Sequence, residues 1–154
     1  MTTKDAFTPE EWDTLKKTLH EPAVAVMLAA RGGMIQEFMA VAKAIFEAEE
    51  KFSGSELIHA LLTGSTGKAP TVPTTASGIF MDDMIANLRQ AAHAVRAKAT
   101  PQEVEDYQEF IMFMTEKVAK AAKEGGFMGM GGQEVTEDEQ RVLDEIKLAL
   151  WRKV

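Results

Sequence analysis

Between Pro22 and Phe52 the chain carries more apolar residues than one face of a helix can use. An unbroken run, Ala23 to Ala30, stops at Arg31-Gly32-Gly33 and resumes as Met34, Ile35, Phe38, Met39, Val41, Ala42, Ile45 and Phe46. The polar residues of the second part, Gln36, Lys43, Glu47 and Glu50, recur at steps of three, four or seven. On a helix they form one narrow polar stripe on an otherwise apolar cylinder. Such a helix is one that others surround. The pattern predicts an all-α fold packed around a Met34–Phe52 helix, with Gly32-Gly33 dividing it from a short buried helix before it.

Local signals place the other helices. Thr8-Pro9-Glu10-Glu11 is a capping box with proline at the first helical position, and Phe7 and Trp12 stand at staple positions. Trp12, Leu15 and Leu19 form the inner stripe of that first helix, which ends at His20-Glu21-Pro22. Ser53-Gly54-Ser55-Glu56 is a stop and restart, followed by a short helix bearing Leu57, Ile58, Leu61 and Leu62. Thr63 to Ser77 has no periodicity and is rich in Gly, Pro, Ser and Thr, which predicts a flexible loop over 63–77. Ser77 stands where it can cap a helix over Gly78–Lys98 with Met81, Met84, Ile85, Leu88, Ala92 and Val95 inward. Thr100-Pro101-Gln102-Glu103 repeats the capping device, and the helix it opens runs to about Glu124, roughly 36 Å at 1.5 Å per residue, with Val104, Tyr107, Ile111, Met114, Val118 and Ala121 as its apolar stripe. So short a joint predicts an antiparallel hairpin of these two helices. After the glycine-rich Gly125 to Gly132, Thr136-Glu137-Asp138-Glu139 opens a last helix carrying Val142, Leu143, Ile146 and Leu150. No segment alternates as a strand does. The expectation is one domain over 1–154, an orthogonal or antiparallel bundle of five to seven helices.

Charge and composition narrow the function classes. With 154 residues, the chain sets 17 basic against 24 acidic side chains, a formal −7. An acidic balance without a Lys/Arg cluster argues against nucleic acid or an anionic membrane as partner. The apolar run Ala23–Ala30 is far shorter than the roughly 20 residues of a membrane helix. The absence of cysteine removes disulfides, thiolate metal sites and thiol nucleophiles, and fits a reducing cytoplasm.

Candidate chemistry is thin. Glu56-x-x-His59 has the spacing of half a di-iron site, with Glu47 as a further carboxylate. Its nearest second half, Gln90-Ala91-Ala92-His93, has an amide where a carboxylate is needed, and Glu56 and His59 lie off the apolar stripe of their helix. Gly64-Ser65-Thr66-Gly67-Lys68 has some phosphate-loop residues, but the first glycine is too close and Ala69 follows the lysine. His93 sits between Arg89 and Arg96 on a solvated basic edge, and His20 lies in a turn between helices. No serine, threonine or histidine is set against a partner as a nucleophile needs. Of the ten methionines, Met39, Met81, Met84 and Met114 fall on core stripes as gap-fillers. Phe127, Met128 and Met130 are different: large apolar side chains inside a loop of glycines. They either plug the end of the core or project as a patch for a partner.

The segment Ala121 to Gly132, followed by Val135-Thr136 and Glu139, resembles the ending of small uncharacterised bacterial helical proteins, with their Gly-Gly-aromatic-hydrophobic-Gly turn before a capped helix. That resemblance implies a bacterial source and an all-helical fold, and no activity. Val135-Thr136-Glu137-Asp138-Glu139 is also similar to part of the helical domains of the tellurite-resistance B type, although Gly131-Gly132-Gln133-Glu134 lacks their aspartate before the glycine.

The sequence therefore predicts a non-enzymatic helical interaction or self-associating module, cytoplasmic and without cofactor. Its partner is another protein or a second copy, met through Phe127, Met128 and Met130. The alternative is a small-ligand or metal-binding helical protein, open to enzymatic use, with Glu56, His59 and Glu47 as ligands.

Overall fold

The computed structural model describes residues 2–29, 34–63, 78–124 and 136–152. The Arg31-Gly32-Gly33 break, the phosphate-loop-like Gly64–Lys68, most of the loop expected at 63–77, the Ser77 cap, and Phe127, Met128 and Met130 lie outside the described residues. Within them the fold is an all-α bundle. A 3-10 turn, Lys4–Ala6, precedes seven helices: α1 (Pro9–Thr18), α2 (Glu21–Ala29), α3 (Met34–Lys51), α4 (Glu56–Thr63), α5 (Gly78–Lys98), α6 (Pro101–Glu124) and α7 (Glu137–Trp151). No strand occurs among the described residues. One contiguous set of buried side chains, from Phe7 to Leu150, draws on all seven helices.

The helix starts follow from hydrogen bonds spanning three residues. Thr8 Oγ1 accepts from the Glu11 N–H while Glu11 accepts from the Thr8 N–H, and Thr136 with Glu139 repeats the arrangement. Thr100 and Glu103 do the same at α6. Phe7 and Trp12 pack with their rings tilted and their centroids 5.8 Å apart, closing the staple. Glu103 has a second duty: its carboxylate also accepts from the N–H and hydroxyl of Thr2, at 2.7 and 2.6 Å, tying the first described residue to the start of α6.

The centre of the bundle is not α3, where the apolar content of Met34–Phe52 puts it, but α2 and α6. In α2 every residue from Pro22 to Met27 is buried. In α6 the expected stripe is widened by Phe110, Met112, Thr115 and Ala119, and the helix packs on α3, α2, α5, α7 and α4. The physical reason is polarity. From Pro22 to Ala29, α2 has no side chain that needs water, whereas α3 carries Lys43, Glu47, Glu49 and Glu50, whose charges would be costly to desolvate. Helix α3 therefore lies on the flank of α6.

Helices α5 and α6 meet, but α5 packs more extensively on α1 and α7, and α6 on α3 and α2. A two-residue joint makes helices neighbours without setting their crossing angle. Arg96, on the basic edge of α5, reaches the Leu150 carbonyl, which also accepts from the Gln108 amide at 2.8 Å. These two donors satisfy a carbonyl in the last turn of α7 that has no partner within the helix.

Candidate interaction surface

Helix α3 has two apolar faces. The inner one, Val41, Ala44 and Ala48, is buried and is continued by the buried Phe52 just past the helix end. Alanine at 44 and 48 lets the backbone approach its neighbour closely, and α6 is that neighbour. Phe52 makes edge-on contacts with Phe110 and Phe113 of α6, with centroids 5.6 and 6.2 Å apart. Lys51 sits over the Phe52 and Phe113 rings, and Lys117 sits over Phe113 while its ammonium lies 2.5 Å from Glu47. The hydrogen bond from Lys117 holds the Glu47 carboxyl below its ordinary value.

The outer face is in water. Phe46 is 72% exposed and Met39 65%, with Ala42 exposed between them. Met39 is thus no gap-filler, in contrast to Met84 and Met114, which are buried as their stripes predict. In sequence, Ile35, Met39, Ala42 and Phe46 follow a four-three-four spacing, the seam of a helix meant to lie along another helix. Side chains around this seam are charged: Lys43, Glu49 and Glu50 are exposed beside it.

A second apolar spot lies at the end of α7. Leu148 is 63% exposed and Trp151 47%. With Lys147 and Arg152 they line a cavity of about 610 Å³. Met39, Phe46, Leu148 and Trp151 are the large hydrophobic side chains exposed among the described residues.

Glu56 and His59 point outward from α4, as their place off the apolar stripe implies. His59 lines a cavity of about 190 Å³ with Glu49, Ser53 and Thr63, not with Glu47, which is engaged by lysines. No group of three or more His, Asp or Glu side chains is gathered for a metal ion among the described residues. A glutamate and a histidine alone fall short of the three or four protein ligands of a zinc site. His93 is exposed, as expected. His20 lies in the turn between α1 and α2, as expected; its Nδ1 is buried without a hydrogen-bond partner among the described residues, and burial lowers its pKa below the ordinary value.

The α3 seam was open to discovery in the sequence. Two interleaved apolar stripes on one helix, 41/44/48 and 35/39/42/46, make the excess that a single core face cannot absorb. Which stripe faces water depends on where α6 sits. No family model, no curated protein and no solved structure matches the chain.

Proposed function

We propose that the chain is a non-enzymatic helical interaction module that meets other protein surfaces through the outer seam of α3. One observation carries this reading: a helix already packed by one apolar face presents a second, with Phe46 and Met39 mostly in water. Leaving Phe46 exposed forgoes about 1.5–3 kcal/mol that a covering surface would recover. The surplus of acidic side chains, 24 against 17, disfavours nucleic acid and anionic membranes as that surface. Among the described residues no helix is long and apolar enough to cross a membrane. The cysteine-free composition and the resemblance of the C-terminal turn to bacterial helical proteins support a bacterial, cytoplasmic setting.

The test compares the full chain with Met39→Ser/Phe46→Ser by cross-linking and light scattering, alone and in cell extract. The reading requires an association of the wild type that the double variant loses while its melting temperature holds. A wild type that associates with nothing, or a variant that associates as before, removes it. The rival reading, a metal or ligand held by Glu47, Glu56 and His59, requires iron or zinc at near one per purified chain.

A further inference from the structure

We propose that the α3 seam pairs with the same seam of a second copy of this chain, antiparallel, around a two-fold axis at Phe46; this rests on the interaction reading above. The charges beside the seam select the arrangement. Lys43 stands three residues before Phe46, and Glu49 and Glu50 stand three and four residues after it. Antiparallel pairing centred on Phe46 brings Lys43 of each copy opposite Glu49 and Glu50 of the other, twice over by symmetry. Parallel pairing sets like charge against like. A net charge of −7 on each copy opposes indiscriminate contact, so the contact that forms is one that neutralises charge locally.

These side chains are available. The Lys43 side chain is 79% exposed, and its ion pair is a 3.7 Å contact with Glu47, a carboxylate that Lys117 already holds at 2.5 Å. Glu49 and Glu50 are exposed and form no ion pair among the described residues. At the axis the two Phe46 rings meet, and the small Ala42 on either side lets the helices approach. Met39, seven residues before the axis, meets the Ser53-Gly54 turn of the other copy, where a Cβ added at Gly54 would find open space, with no other atom within 4 Å. Isologous pairing of this kind is the commonest route to a dimer. One seam of an 18-residue helix is short beside a standard interface, so the pairing should be weak and concentration-dependent.

Sedimentation equilibrium of the full chain from about 1 to about 500 µM reads this directly. The mass should rise from 16.9 kDa toward twice that value. Phe46→Glu should weaken pairing at least about a hundredfold, since two rings are lost and two charges gained at the axis. Lys43→Glu alone and Glu49→Lys/Glu50→Lys alone should each weaken it roughly tenfold, and the triple reversal should restore it. Because the chain has no cysteine, single cysteines report orientation: Lys43→Cys mixed with Glu49→Cys should cross-link faster than either alone. A wild type that stays monomeric, a triple reversal that fails to restore pairing, or faster self-linking of Lys43→Cys overturns the proposal. A monomeric wild type whose seam variants nevertheless lose a different protein would overturn self-pairing and leave the interaction reading standing.

Discussion

Replacing Glu103 with glutamine should destabilise the fold by about 3 kcal/mol at neutral pH and by much less near pH 2. Glu103 is 7% exposed as a residue, and its carboxylate accepts four hydrogen bonds: from the N–H and hydroxyl of Thr2, and from the N–H and hydroxyl of Thr100 at 2.9 and 2.8 Å. Burial by itself raises its pKa, but the hydrogen bonds from Thr2 and Thr100 outweigh burial and bring it from 4.5 down to about 2. The gap between those values corresponds to about 3 kcal/mol of preference for the charged form in the folded chain. The folded pKa lies below the unfolded one. The stabilisation is therefore full above about pH 5 and is lost as pH falls through 4.5 toward 2. Glutamine keeps one acceptor oxygen and turns an NH2 toward groups that are themselves donors. For a chain of this length the loss is about 6–12 °C in melting temperature. Urea unfolding of wild type and Glu103→Gln at pH 7 and pH 2 is the assay. Glu139→Gln is the control: Glu139 accepts from the N–H and hydroxyl of Thr136 with no contribution from Thr2, so its loss should be nearer 1 kcal/mol. Equal stability of wild type and Glu103→Gln at pH 7, or a gap as wide at pH 2 as at pH 7, would refute the reasoning.

Three further outcomes follow from buried contacts. The Thr18 hydroxyl donates to the Thr14 or Leu15 carbonyl, so in its 2.6 Å contact with Tyr107 the phenol is the donor. Thr18→Val, which leaves that phenol buried without its acceptor, should cost about 1–3 kcal/mol, and Tyr107→Phe about 1 kcal/mol; the reverse order in urea unfolding would contradict this donor assignment. Because burial lowers the His20 pKa, stability should fall as pH drops below the ordinary 6.5, and His20→Gln should flatten the change measured between about pH 7 and pH 5. Ala48→Leu, on the buried face of α3, should cost about 1–3 kcal/mol in thermal unfolding, whereas Ala42→Leu on the outer seam should stay within about 0.5 kcal/mol.

What the sequence by itself determined was local. The three capping boxes, the Phe7–Trp12 staple and the stripes of α1, α5, α6 and α7 were legible because each depends on residues three to five apart, or on the helical period. The outward aim of Glu56 and His59 followed from the same periodicity. What only the tertiary structure decided spans the chain. Glu103 is a capping residue by sequence, but its contact with Thr2 reaches across 101 positions and no local pattern announces it. The apolar excess of α3 was plain, yet it was consistent with a surrounded central helix. Once the uncharged stretch of α2 and the broad face of α6 take the core, Val41, Ala44 and Ala48 of α3 and the adjoining Phe52 are buried, while among the described side chains of α3 Met39 and Phe46 are left in water. The candidate surface is that remainder: hydrophobic periodicity says that a face wants burial, and only the neighbours' positions say whether the chain itself supplies it.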